Sequence, residues 1–178
     1  IYLNELPLSY VEHQYEFVDE WEKVGERILD LDAKERWEIW LARFQFMREC
    51  ARLGCHMAIF EKLEDPEELK KEAEQIREIA GNVAADCCNF ICSMGDMGNL
   101  AALVQRNLLP FKKKIDEKLR AAGCEVTDWE QTPDKKIKKR CVCLSEPSYL
   151  KKTDIWNVKV LATKGAGKVS LYWHPLHD

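Results

Sequence analysis

The segment Asp65-Pro66-Glu67-Glu68 and the apolar series after it most narrow what this chain can fold into. An aspartate caps a helix, a proline suits the first helical position, and two acids favour the positive end of the helix dipole. Leu69, Ala73, Ile76, Ala80, Val83, Cys87, Phe90 and Met94 then recur at alternating spacings of four and three. That pattern specifies a long helix with one narrow apolar seam, in which small residues such as Ala73, Ala80 and Cys87 admit a close neighbour. Gly95, Asp96 and Gly98 are expected to stop it. The seam reads as an interaction surface for another helix.

Upstream, Ser9 and Glu12 have the spacing of a capping box, followed by Phe17, Trp21, Val24 and Ile28 at helical intervals. A helix over about 10–30 is expected. Asp32 and Glu35 mark a second start, with Trp37, Leu41, Phe44, Met47, Ala51, Ala58 and Ile59 carrying the pattern to about Leu63, despite Gly54. A fourth helix runs from near Asn99 to Leu109, and Pro110 is expected to kink or break it. A basic amphipathic stretch from Phe111 to Ala122 ends at Gly123, a natural C-terminal cap. Beyond Gly123 the period changes to two: residues 137–144, 155–163 and 168–174 read as strands, with 164–168 as a hairpin loop. The fold class is therefore α+β. An antiparallel bundle of three to five helices over 1–123 precedes a small antiparallel β-sheet or hairpin over 124–178.

Charge divides the same way. Residues 1–110 carry 12 Lys/Arg against 22 Asp/Glu, and 111–178 carry 15 against 9. An acidic body and a basic tail follow, and the tail is a candidate for RNA or an acidic partner. Lys112, Lys113, Lys114, Lys135, Lys136, Lys138, Lys139 and Arg140 are the candidate nucleic-acid contacts. Eight cysteines lie mostly inside helical or strand-like apolar patterns. They read as free thiols in a reducing intracellular compartment, with cytoplasm, nucleus and organelle matrix not distinguished. No apolar run approaches the roughly 18 residues of a membrane span. The start at Ile1 is that expected of a trimmed or processed chain.

Motifs for chemistry are sparse. Gly165-Ala166-Gly167-Lys168 lacks the Ser or Thr and the helix of a phosphate loop, so it reads as a turn. Cys141 and Cys143 point the same way on a strand and, with His174 and His177, form an alternative zinc set. Arg52 and His56, four apart, share a helix face and read as a surface pair. Cys87, Cys88 and Cys92 have no nearby histidine to activate them and read as packing residues.

Glu49-Cys50-Ala51-Arg52 on one helix and Val83 to Asn89 on the next flank an acidic turn. This pair is similar to the central helices of MazG-like nucleotide pyrophosphohydrolases, over about residues 45–90. The resemblance implies an all-α magnesium enzyme using Glu-x-x-Glu and Glu-x-x-Asp, because a spacing of three puts two carboxylates on one helix face against the metal. Glu49 and Asp86 match, with Asn89 as companion, while Arg52 and Val83 stand where acids are required.

With no intact catalytic set, the first expectation is a non-catalytic interaction or scaffold protein. It would be a subunit or accessory factor of a larger assembly, or a homodimer, docking through helical seams and its six tryptophans. It needs no cofactor. The alternatives are the MazG-like enzyme with magnesium, and an RNA-binding component.

Overall fold

The computed structural model describes residues 1–126, 129, 137, 141–143 and 159–162. The order is α1 (Leu8–Gln14), α2 (Glu16–Val24), a 3-10 turn (Gly25–Arg27), α3 (Leu31–Lys62), α4 (Pro66–Phe90), α5 (Met94–Leu103), a π-helical segment (Val104–Leu108), α6 (Leu109–Ala121), β1 (Cys141–Cys143) and β2 (Val160–Ala162). The helices form a bundle, as expected. Its frame is the α3–α4 hairpin, against which α1, α2 and α6 lie. Asp65 starts α4 as its sequence demands, accepting from the Glu67 and Glu68 amides at 3.0 Å.

The core takes Leu53, Met57 and Phe60 from α3, Leu69, Ile76 and Val83 from α4, and Ile115 and Leu119 from α6. The seam from Leu69 to Phe90 is thus consumed inside the chain, which corrects its reading as an interaction surface. Met94 does not belong to it. The helix ends at Phe90, because Ser93 and Asp96 build a capping box that opens α5, and Met94 lies exposed on the new first turn. Burial pushes the Asp96 carboxyl up, but donors from Cys92 and Ser93 outweigh it and hold the group below its ordinary value.

Other boundaries differ for local reasons. The expected first helix is two, α1 and α2, broken at Tyr15 (φ −106°, ψ 8°), and each buries one valine, Val11 and Val18. Ser9 caps nothing, since Pro7 already precedes the first turn. Asp30, not Asp32, caps α3, accepting from the Ala33 amide at 2.7 Å. Met47 and Ile59 are exposed rather than packed. Pro110 breaks nothing. It sits in the first turn of α6, directly after the π segment, and the backbone stays helical through Leu108 and Leu109. A π turn relieves the clash of the ring with the preceding turn.

The Gly123 cap is as expected. Its φ of +75° lets the Cys124 amide reach the Leu119 carbonyl at 2.9 Å and its own amide reach Arg120 at 3.0 Å, a Schellman closure. Gly54 serves a close approach. The Asn4 amide donates to its carbonyl at 3.1 Å, and a Cβ there would stand 2.4 Å from the Tyr2 carbonyl oxygen. Gly54→Ala gains about 1 kcal/mol of helix propensity yet displaces the segment before α1. The expected outcome is lost hydrogen-exchange protection at the Asn4 amide, with the amides of α3 unchanged.

Beyond Gly123, β1 and β2 pair antiparallel, with Cys141 opposite Ala162 and Cys143 opposite Val160. The remaining strand expectations, the 164–168 loop, His174 and His177 lie outside the described residues, as do Lys135, Lys136, Lys138, Lys139 and Arg140. Among the described residues no helix is long and apolar enough to cross a membrane.

Candidate functional site

Two surfaces of the bundle carry chemistry. One is polar and lies along the α3–α4 hairpin. Glu49 and His56 from α3, and Glu72, Asp86 and Asn89 from α4, are all buried. His56 Nδ1 meets Glu72 Oε1 at 2.7 Å across the two helices. Arg52, one turn before His56, donates through Nη1 to both oxygens of Glu49 at 3.2 Å, and its Nε lies 3.8 Å from Glu12 Oε1 on α1. Arg52 and His56 therefore do share a face, but His56 is buried rather than a surface residue. Beside them opens a cleft of about 300 Å³, closed by Leu8 of α1 and by Gln75, Glu78, Ile79 and Asn82 of α4.

The acids of the MazG-like reading have other occupations. Glu49 is held by Arg52, Asp86 and Asn89 are enclosed on α4, and Val83, where an acid is required, is core. Among the described residues no three His, Cys, Asp or Glu side chains converge as a metal site. Cys50 and Cys87 share the environment of Asp86. Burial pushes the Cys50 thiol up, the N-terminal ammonium opposes it, and the negative neighbours Cys87, Asp86 and Glu49 add to the rise, from 9.0 to about 12. Burial with Cys88, Asp96 and Asp86 pushes Cys87 to about 11. Both are raised, so the folded state holds these protons more tightly than the unfolded chain. Their stabilisation is complete below pH 9.0 and is lost as pH rises through 11 and 12. The fall of Tm over that interval should be shallower in Cys50→Ala/Cys87→Ala than in wild type, as read by thermal melts against pH.

The described lysines of the basic stretch have intramolecular partners. Lys112 pairs with Asp116 at 2.6 Å, Lys113 lies 3.9 Å from Glu117, and Lys114 pairs with Glu61. Their charge is in part neutralised where RNA would need it.

The second surface is aromatic. The Phe44 ring stands edge-on to Phe17 at 5.4 Å and to Trp21 at 5.9 Å, with Trp40 at 6.0 Å. The Arg43 guanidinium lies over Trp40 at 5.1 Å and over Phe90 at 5.6 Å. Phe17, Trp40 and Met47 are 45%, 50% and 49% exposed, too open for a core. Polar pairs edge this face: Arg48 with Asp19 at 2.7 Å and Gln45 with Glu22 at 3.4 Å. Trp37 does not join it, because its Nε1 donates to the Trp21 carbonyl at 3.0 Å and ties α3 to α2.

The sequence reading did not find the His56–Glu72 pair, though a signal existed. The two residues lie equally far from Glu64 in the α3–α4 turn, which sets them opposite each other in a hairpin. No protein-family model, curated protein or solved structure matches this chain. The two surfaces therefore stand on their own geometry.

Proposed function

We propose that this chain is a non-catalytic interaction protein, a subunit or accessory factor of a larger intracellular assembly. In this reading it docks through the aromatic face of α2 and α3. The exposed Phe17, Trp40 and Met47, with the half-buried Arg43 and Phe44 that hold Phe17 and Trp40 together, carry the proposal. Aromatic residues and arginine dominate the energetics of interfaces, and a polar rim that excludes water raises their contribution. The Asp19–Arg48 and Glu22–Gln45 pairs are placed as such a rim. The Leu69–Phe90 seam is spent within the fold, so docking falls to this face instead.

The basic chain beyond Gly123 is assigned to a small antiparallel β unit. The β1–β2 pairing and the period-two sequence around it support that assignment.

The test compares wild type with Trp40→Ala/Phe17→Ala. Both side chains are half-exposed, so the helical circular dichroism and Tm should stay close to wild type. Sedimentation of the pure chain reads self-association, and quantitative capture from the native cell extract reads other partners. The expected result is a partner or a dimer held by wild type and lost in the variant. A monomer with the same capture profile in both forms overturns the reading. So does magnesium-dependent release of pyrophosphate from nucleoside triphosphates that is abolished by Glu49→Gln.

A further inference from the structure

We infer that the aromatic face of α2 and α3 is the interface of a symmetric dimer, with a second copy of this chain as its occupant. The dimer rests on the docking function proposed for that face and names the partner.

The face has two flanks. On α3, Arg36, Trp40, Arg43 and Met47 follow at spacings of four, three and four, which sets them along one side of the helix. On α2, Phe17, Glu20 and Val24 do the same at spacings of three and four. Phe44 joins the flanks, edge-on to Phe17 at 5.4 Å and with Trp40 at 6.0 Å. Phe17, Val24, Trp40 and Met47 are exposed, so an apolar strip runs between the two helices.

The edges of that strip carry opposite charge. Val18 is the buried residue of α2, and Glu16 and Glu20 stand about 160° from it around the helix. Both are exposed, and they mark the outer edge of α2. On α3, Trp37 faces α2 through its bond to the Trp21 carbonyl. Around the helix from Trp37, Phe44, Trp40 and Met47 come first, and Arg36 and Arg43 stand about 100–120° away. Across the face the order is therefore carboxylates, apolar strip, guanidiniums.

That order selects the partner. A basic peptide, a nucleic acid or an anionic bilayer carries mainly one sign of charge and is repelled by one of the two edges. The complement is a similar strip with its edges exchanged. A two-fold axis running along the helices supplies it from a second copy. It lays α2 of one protomer over α3 of the other, so that Glu16 and Glu20 meet Arg36 and Arg43 twice, with the aromatic strips between them.

Little has to change for the pairing. Arg43 is already held over the Trp40 and Phe90 rings, so little side-chain freedom is lost when it gains an acceptor. Glu20 holds Lys23 at 2.8 Å, but both are exposed, and such a pair exchanges readily.

The experiment is sedimentation equilibrium of the full chain in a dilution series, with wild type, Glu20→Lys, Arg36→Glu and an equimolar mixture of the two variants. Wild type is expected to pass from monomer to dimer. Each variant alone should associate about tenfold more weakly or worse, because the two-fold axis repeats each like-charge contact. The mixture should regain the dimer. The new lysine of one chain then faces the new glutamate of the other, and the native Glu20–Arg36 contact survives on the other side of the axis. A fold damaged by either substitution would not be restored by mixing. The dimer is overturned if wild type stays monomeric, if both variants associate like wild type, or if the mixture associates no better than its components. A monomeric wild type whose partner from the extract is lost in Trp40→Ala/Phe17→Ala overturns the dimer alone and leaves the docking function standing.

Discussion

Replacing His56 with alanine is expected to lower the stability of the fold by about 3 kcal/mol. In a chain of this length that is a fall in Tm of roughly 6–12 °C. Glu72 is nearly enclosed, and the 2.7 Å contact from His56 Nδ1 is the hydrogen bond its carboxylate makes across the hairpin. Removing the imidazole strands a buried charge, which costs more than the pair itself contributes. The same logic predicts rescue. His56→Leu/Glu72→Leu removes both polar groups and should recover most of the loss, because a packed apolar pair replaces a buried hydrogen-bonded one at little cost. Chemical denaturation of the two singles and the double closes the cycle. A His56→Ala loss below about 1 kcal/mol would show that water reaches Glu72 and satisfies it.

Phe60→Ala should cost about 3–5 kcal/mol. The ring is fully buried among α3, α4 and α6, and its loss leaves a cavity where three helices meet. It also supports Lys118 of α6, whose ammonium lies 5.5 Å from the ring centre. That ammonium donates to the Phe60 and Glu61 carbonyls at 3.0 and 2.7 Å, closing the C-terminal end of α3. Lys118→Met separates the two effects. It keeps most of the packing, removes the carbonyl contacts, and should cost only about 1 kcal/mol. Urea titrations measure both, and equal losses would mean that the lysine, not the cavity, holds this junction.

Much of the frame was legible in the chain alone, wherever the signal is local. Asp65-Pro66 fixes a helix start by hydrogen bonding within one turn, and Gly123 fixes an end by its backbone freedom. The Leu69–Phe90 spacing marks a buried face whatever covers it. Errors arose where local signals compete. Ser9 and Glu12 have capping-box spacing, but Pro7 begins the helix earlier. Ser93 and Asp96 form a better box than the seam has residues left to extend through, so α4 ends before Met94. The candidate site was less legible because its members meet only across elements. Arg52 and His56 could be placed on one face from their spacing. Burial of His56 against Glu72, and the cleft beside Leu8, depend on how α1 and α4 sit on α3.

The π segment sets the phase of everything after it. Leu103 and Ile115 are both buried, yet twelve positions separate them, which on an ideal α-helix would turn their side chains about 120° apart. The wider turn at Val104–Leu108 absorbs one residue, and the offset shrinks to about 20°. One apolar stripe therefore continues from Leu103 through Ile115 to Leu119. Deleting a single residue inside this turn would keep the stripe in phase but put Pro110 into plain α-helix, where its ring meets the preceding turn. Adding one would rotate α6 away from the bundle, carrying Lys118 off the end of α3. The turn thus serves two demands at once, the phase of α6 and the room that Pro110 needs, and a length change in either direction upsets one of them.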